Sequence, residues 1–211
     1  MRAPRNRALF AVVAAFALFC IAFVVLSPRG VNWSVDSCAK LLAVKSLRFD
    51  GHFHYDVPYL GRPWDPGLLA VPVGETFYDI RFGEIHISWP ELFPLLVWPF
   101  YRAFGWLGLY VVPLTCGAAS VYLCGRIAET IRSKSGWIAA LVAGSMTPVV
   151  VYSTLLWEHT PALALMLGAV LLLTQFLDDG KWWRVAVASG AVGLAAVGLR
   201  TDVNVFFAAL V

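Results

Sequence analysis

Hydrophobic residues gather into long runs along this chain, and polar segments separate one run from the next. The runs cover residues 8–26, 106–124, 137–156, 161–177 and 185–211. An α-helix rises about 1.5 Å per residue, so about 20 apolar residues cross the hydrocarbon core of a bilayer. The pattern therefore predicts an all-α polytopic membrane protein with about five transmembrane helices. We expect Pro148 to kink the third of them.

The longest polar segment, residues 27–88, follows the first predicted helix and contains many prolines and glycines, which indicate turns. Within it, the spacing of apolar residues predicts a short amphipathic helix over 34–49, with Asp36 and Lys40 one turn apart. Residues 89–104 are apolar but hold three prolines. We therefore expect this segment to lie at the membrane interface rather than to cross the membrane.

The composition agrees with a membrane protein and excludes several other classes. Of the 211 residues, 60% are hydrophobic and 14% are charged, whereas globular chains carry roughly 25% charged residues. The net charge of +3 is small and its basic residues are scattered, so we expect no nucleic-acid partner. Three of the four cysteines fall within apolar runs, which argues against a disulfide framework.

The basic residues of the short loops predict an orientation. Three arginines precede the first run, others occupy the 125–136 loop, and Lys181 and Arg184 follow the fourth run. If 89–104 does not cross, these segments share one side, which the positive-inside rule makes the cytoplasm. We expect a multi-pass protein of the cytoplasmic (inner) membrane with a cytoplasmic N-terminus. The long loop and the turn at 157–160 then lie outside.

A few charged residues stand where a purely structural helix bundle would not need them. Glu158 and His159 occupy a short turn between two apolar runs, and Arg200 interrupts the last run. Such groups face water, pair together or line a site. The alternatives are a solvated turn for Glu158 and an interfacial Arg200 that pairs with Asp202. Asp36 lies soon after the first helix, close enough to meet them, although it could instead cap the next helix.

Histidines in the long loop raise the question of a metal. In the stretch 52–56, a strand would place His52, His54 and Asp56 on one face, where they could hold a divalent ion. No second cluster has ligand spacing and His86 would have to come from elsewhere, so we favour surface histidines. The cofactor stays unknown, with a divalent cation left open. We count His86, together with Lys40 and His159, among the candidate substrate-binding residues.

The order of these features resembles the GT-C superfamily of membrane glycosyltransferases, the class of protein O-mannosyltransferases and aminoarabinose transferases. The pieces that carry the resemblance are VDSCAKLL at 35–42, SWPELFP at 88–94 leading to Phe104 and Gly105, YS at 152–153 with WEHTP at 157–161, and GLR at 198–200. Relatives often have a second acidic residue where Ser37 stands and an aspartate where Glu158 stands. The resemblance covers nearly all of this chain but only the N-terminal portion of such an enzyme, so we expect a longer natural protein.

The resemblance implies transfer of a sugar from a polyprenyl-phosphate donor to an extracytoplasmic acceptor, which could be a glycan, a lipid or a protein. Asp36 and Glu158 would be the catalytic residues, with Asp36 as general base and Glu158 orienting the acceptor or holding a cation. Arg200 would stabilise the departing phosphate. The competing hypotheses are a transporter or lipid flippase, and a membrane assembly protein without catalysis.

Overall fold

The computed structural model describes residues 3–26, 34–49, 53–55, 57, 59–71, 78–87, 90 and 92–200. Its helices are α1 (Ala3–Leu26), α2 (Val35–Ser46), α3 (Leu92–Phe104), α4 (Val111–Ile131), α5 (Gly136–Ser145), α6 (Val149–Ser153), α7 (His159–Asp179) and α8 (Trp182–Gly193). A 3₁₀ segment, Gly105–Tyr110, joins α3 to α4, and a π-helical segment, Leu194–Leu199, follows α8. The strands are β1 (Leu47–Phe49), β2 (Phe53–Tyr55), β3 (Tyr78–Arg81) and β4 (Glu84–Ile87).

The chain is mostly helical, at 73%, as the hydrophobic runs predict. Among the described residues, three helical stretches are long and apolar enough to cross a membrane, namely Leu92–Ile131, His159–Asp179 and Trp182–Leu199. The first and third predicted spans are represented by shorter apolar helices, Phe10–Val25 and Gly136–Ser145. The expectation of about five spans is therefore not confirmed. Residues 201–211, which would complete the fifth span, lie outside the described part of the chain.

The longest apolar stretch is not one straight helix, because the chain changes direction at Gly105. This glycine has a positive φ of 58°, and the 3₁₀ segment after it folds back onto α3. A Cβ on Gly108 would collide with the backbone carbonyl of Phe100, so the two backbones touch. The 13 residues of α3 rise only about 20 Å, less than the hydrocarbon thickness. The interfacial position of 89–104 stays a prediction.

Small residues set the spacing and direction of α4 and α5. Gly125 lies against Gly136, where an added Cβ would come within 2.8 Å of the Gly136 carbonyl oxygen. Further along, Gly144 packs on Val121, and Gly117 packs on Ser153 of α6. From one contact to the next the residue numbers decrease in α4 and increase in α5 and α6, so α4 runs antiparallel to both of these helices. Close backbone approach through small residues is typical of helices packed in membranes.

Helix α1 packs against the same pair of helices and fixes which ends of the bundle lie together. Its Ala15 meets Gly144, and its Phe19 meets Gly117 four residues further on. Helix α1 therefore runs parallel to α5 and antiparallel to α4. Its N-terminus lies at the same end as the loop after α4, and its C-terminus lies at the end where α4 and α7 begin.

The third predicted span is interrupted rather than kinked. Helix α5 ends at Ser145 and α6 begins at Val149, with Pro148 between them. Proline has no backbone N–H, and its ring clashes with the carbonyl four residues earlier, so it favours the end of a helix. The expectation of a continuous helix over 137–156 is thus wrong in this detail.

The long polar loop forms a small unit of its own, built on α2 and two hairpins. Ser34 caps α2 by accepting a hydrogen bond from the Ser37 amide at 3.2 Å, and the helix ends at Ser46, where β1 begins. Strands β1 and β2 pair antiparallel, as do β3 and β4, so the loop contains two hairpins besides the expected helix. Phe82 and Gly83 both have positive φ, which suits a tight hairpin turn.

A separate apolar cluster joins the β3–β4 hairpin and part of the preceding loop to α2. Val57, Leu68 and Ile85 are buried together, and Leu42 of α2 packs against them. The predicted strand within residues 52–56 is present as β2, but His52 and Asp56 lie outside the described residues. The helix α2 thus has one side on the loop unit and another on the bundle.

Candidate functional site

One buried apolar cluster draws three distant parts of the chain together. It contains Val44 of α2, Leu156 of the turn before α7, and Leu199 at the end of the π-helical segment. Its other buried members are Phe93, Val97, Leu109, Tyr110, Val112 and Ala162. Each of the first three lies within a helical turn of a predicted site residue. Burial of this cluster therefore determines where Lys40, Glu158 and Arg200 meet.

Lys40 and Glu158 form a buried ion pair at this meeting point. The Lys40 Nζ atom lies 2.7 Å from Glu158 Oε2, and the two side chains are only 3% and 5% exposed. The contact is a close charge pair whose angles fall outside those of an aligned hydrogen bond. The Lys40 ammonium also lies over the Trp157 ring, 5.9 Å from its centre. The loop helix is thus joined to the turn before α7 by opposite charges removed from water.

Glu158 is held at the start of α7 by its own backbone hydrogen bond and by the contact of the nearby Thr160 with α4. Its carbonyl accepts the Ala162 amide at 3.0 Å, which closes the first helical turn. Thr160, buried beside it, donates its hydroxyl to the Pro113 carbonyl of α4 at 3.0 Å. Helix N-termini carry a partial positive charge, which also favours a carboxylate here.

Arg200 reaches the other oxygen of the same carboxylate. Its Nη1 atom lies 3.9 Å from Glu158 Oε1, and its side chain is 27% exposed. It follows the π-helical segment, and its amide donates to the Ala195 carbonyl at 2.8 Å. Segments of π-helix occur often at functional sites. Arg200 is therefore a partly open cation beside a buried ion pair.

His159 lies against the Arg200 guanidinium and two aromatic rings. The Arg200 Nη1 atom is 3.0 Å from His159 Nδ1 and also contacts Nε2. The imidazole ring stacks on Tyr152 and Trp157, with ring centres 4.5 and 4.8 Å away. The indole Nε1 of Trp157 is buried and has no hydrogen-bond partner within the described part of the chain. The aromatic rings restrict where the imidazole, and hence the guanidinium, can lie.

Asp36 lies on α2 one helical turn before Lys40 and is half-buried. Residues four apart on a helix share a face, so Asp36 is on the side of α2 that carries Lys40. Across the described residues it makes no hydrogen bond or ion pair. It is therefore the carboxylate near this site without a charge partner, whereas Glu158 has two.

His86 is not brought into this cluster. It lies on β4, opposite Asp79 of β3, and its Nε2 atom is 3.6 Å from Glu84. Asp79 itself is paired with Arg81, whose hydrogen bond lowers the pKa of that carboxyl below its usual value. Asp202, the alternative partner of Arg200, falls outside the described residues, as does the side chain of His54.

No protein-family profile, no curated protein and no solved structure matches this chain. The resemblance to membrane glycosyltransferases therefore depends on the residues of this sequence alone.

The residues around Glu158 do not fit a divalent cation. A metal ligated by this carboxylate would lie beside two side-chain cations, Lys40 at 2.7 Å and Arg200 at 3.9 Å. Divalent ions such as Mg²⁺ and Ca²⁺ take several oxygen ligands, usually including carboxylates. In the part of the chain that the structure describes, no group of three or more His, Cys, Asp or Glu side chains could hold a metal ion.

The sequence alone identified five of these residues but not their contacts. It singled out Asp36, Lys40, Glu158, His159 and Arg200, and it assigned Lys40 to substrate binding. The burial of Lys40 against Glu158 could not be deduced, because it depends on α2 packing against a turn far along the chain. Tyr152 and Trp157 were not recognised as ring partners of His159. The available signal was the sequence itself, which places Trp157 two residues and Tyr152 seven residues before His159.

Proposed function

We propose that this chain carries part of the active site of a membrane glycosyltransferase, which moves a sugar from a polyprenyl-phosphate donor to an acceptor outside the cytoplasm. One observation carries the proposal. Asp36, Glu158 and Arg200, which the resemblance implies as the reacting groups, come from three separate elements that share one apolar cluster. Packing alone does not require these charged residues to be gathered there.

The charges of the cluster suit a phosphate-bearing donor. Lys40 and Arg200 place two positive charges beside the carboxylate of Glu158, and the Asp36 carboxylate lies one helical turn from Lys40. The partly exposed guanidinium of Arg200 can grip phosphate oxygens through its planar fork. A polyprenyl tail would stay among the apolar helices while its phosphate reaches this end of the bundle.

The reaction needs a proton acceptor and a stabilised leaving group. Asp36, half-buried and without a charge partner among the described residues, would take the proton from the acceptor hydroxyl. The hydroxyl oxygen then forms a bond to the anomeric carbon, and the bond from that carbon to the phosphate oxygen breaks. The bonding electrons leave with polyprenyl phosphate, whose growing negative charge Arg200 stabilises.

The location of the charges favours transfer at a membrane surface over transport. Glu158 comes directly before α7 and Arg200 directly after the π-helical segment, so both lie at helix ends. Transporters commonly bind their substrates near the middle of the bilayer. The positive-inside rule places this end of the bundle outside, because Arg132 and Lys134 follow α4 at the opposite end.

Two charge-removing variants of the natural full-length protein test the proposal, with membranes supplied with polyprenyl-phosphate sugars. Asp36→Asn is expected to abolish sugar transfer without lowering expression. Arg200→Gln is expected to lower transfer and to raise the KM for the donor. The matched controls are Asp178→Asn and Arg126→Gln, at exposed positions near the other end of the bundle. Wild-type transfer by Asp36→Asn would refute the role of Asp36, and absence of transfer by the unmodified protein would refute the function.

A further inference from the structure

The ammonium group of Lys40 occupies the position beside Glu158 that a metal ion would need. We propose that Lys40 is the resident cation of this site, so that Glu158 is held by a tethered amine and the cluster requires no divalent metal. In this role Lys40 is a positioning residue, because it acts through Glu158. The transfer readouts below depend on the proposed function, but the metal-binding readout does not.

The two oxygens of Glu158 are divided between two cations. Oε2 faces Lys40 at 2.7 Å, and Oε1 faces Arg200 at 3.9 Å. A divalent ion bound to an oxygen of this carboxylate would lie about 2–2.6 Å from it, hence close to the Lys40 ammonium. Repulsion between the two cations then opposes metal binding as long as Lys40 keeps its place.

Lys40 is fixed in that place by the packing of α2. Val44, one turn further along, is buried in the apolar cluster, and Trp98 of α3 donates its indole N–H to the Leu47 carbonyl at 3.2 Å. With only 3% of its side chain exposed, the amine is almost fully removed from water. A metal ion at Glu158 would have to displace this buried amine from its contact with the carboxylate.

The shorter contact with Lys40 also determines how strongly Glu158 interacts with Arg200. With Lys40 present, Glu158 makes the closer contact with the amine and leaves Arg200 at the longer distance. Without the amine, the carboxylate can turn fully towards Arg200 and compete with a bound phosphate for the guanidinium. Loss of Lys40 should therefore weaken donor binding even though Lys40 does not touch the donor.

Metal binding provides the first test. Mn²⁺ is titrated into the purified full-length protein in zwitterionic detergent and bound ion is measured by electron paramagnetic resonance. We expect the unmodified protein and Glu158→Gln to bind the same amount of Mn²⁺ at each concentration, which means that Glu158 contributes no saturable site. We expect Lys40→Ser, which leaves Glu158, the new hydroxyl and the nearby Asp36 as oxygen ligands, to gain Mn²⁺ binding that Lys40→Ser/Glu158→Gln lacks. Absence of this gain would also overturn the proposal. A saturable site in the unmodified protein that Glu158→Gln removes would overturn the proposal.

Transfer kinetics provide the second test. Transfer by the unmodified protein should persist in excess EDTA. Lys40→Met should raise the KM for the lipid donor about tenfold, the order expected when the Glu158 carboxylate takes over one charged hydrogen bond that Arg200 makes to the donor phosphate. Lys40→Arg should restore much of the affinity, and Lys40→Met/Glu158→Gln should do the same by removing the competing carboxylate. Inhibition by EDTA that Mg²⁺ or Mn²⁺ reverses would overturn the proposal, as would a KM in Lys40→Met/Glu158→Gln no better than in Lys40→Met.

The two tests keep this inference separate from the proposed function. If the unmodified protein shows no sugar transfer, the proposed function fails, and the Mn²⁺ titrations still decide whether Lys40 excludes metal from Glu158. If transfer occurs but depends on a metal bound at Glu158, the proposed function stands and the role of Lys40 fails.

Discussion

Replacing Lys40 by methionine should destabilise the folded protein strongly, because it leaves the buried carboxylate of Glu158 without its nearest cation. Methionine keeps a long unbranched side chain, so the change removes the charge while largely filling the space. Both partners are almost fully buried, at 3% and 5% exposure. Breaking such a pair by removing one member typically costs about 3–5 kcal/mol. Arg200, 3.9 Å from Glu158, compensates part of this cost, so we expect the lower end of that range.

The double variant separates the charge from the packing. Replacing both members of a buried ion pair by uncharged residues is often nearly neutral, because the cost of taking the charges out of water disappears as well. Lys40→Met/Glu158→Gln should therefore recover most of the stability lost in Lys40→Met. The free energy of unfolding can be measured in mixed micelles with increasing SDS, for the two single variants and the double variant.

An exposed pair supplies the control. Arg81 and Asp79 lie 2.8 Å apart on β3, but their side chains are 57% and 51% exposed. Surface ion pairs contribute about 0–1 kcal/mol, so Arg81→Met should change the free energy of unfolding little. A loss below about 1 kcal/mol in Lys40→Met would contradict the stabilising role of the buried charge pair. So would a double variant that is as unstable as the sum of its two single variants.

Three further predictions concern packing, topology and pH. Gly144→Ala should destabilise the protein by about 1–3 kcal/mol, since the added Cβ would come within 2.6 Å of a side chain of α1. Gly168→Ala, with open space around it, should be neutral or stabilising in the same unfolding measurement. A membrane-impermeant maleimide applied to intact cells should label the exposed natural Cys38, with Cys38→Ser as background, and should label Ile131→Cys only after permeabilisation. Labelling of both from one side would contradict the proposed topology. The backbone amides that hydrogen-bond to Asp65, at 2.8 and 2.9 Å, lower the pKa of its carboxyl. The stability that these hydrogen bonds give the loop is fully present above the ordinary aspartate pKa of about 3.9. It is lost as the pH falls through the lowered pKa of Asp65 in the folded protein, so hydrogen-exchange protection of these amides should decrease in that acidic range. Unchanged protection at the lowest pH would contradict this.

The sequence predicted those helices and strands that depend on residues close together in the chain. The amphipathic spacing after Ser34 predicted α2, and the structure confirms both the helix and Ser34 as its cap. The alternation around Phe53–Tyr55 predicted a strand, which is present. Where neighbouring elements decide the outcome, the predictions were less complete. The helix over 34–49 stops at Ser46 because the chain turns into a hairpin strand. The third span breaks at Pro148, so that α6 packs separately against α4.

The residues of the candidate site were recognisable because charges among apolar runs are rare. Glu158 and Arg200 interrupt stretches that would otherwise be hydrophobic, and this made them candidates without any knowledge of their contacts. Lys40 had no such distinction, since it lies in a polar loop where a lysine is expected to be solvated. Its burial against Glu158 became visible only with the packing of α2 on the bundle.

From the amino-acid order alone it follows that this chain is mostly helical and apolar, with segments long enough to cross a membrane, and that its few charges are gathered in the loops and at helix ends. These properties depend on hydrophobicity and on spacing within about 20 residues, which a linear sequence displays directly. The packing of distant elements makes Lys40 a partner of Glu158 and leaves Arg200 as the more open cation. The three charges lie on elements far apart in the chain. Their distances depend on burial of the shared apolar cluster of Val44, Leu156 and Leu199, which no local pattern encodes.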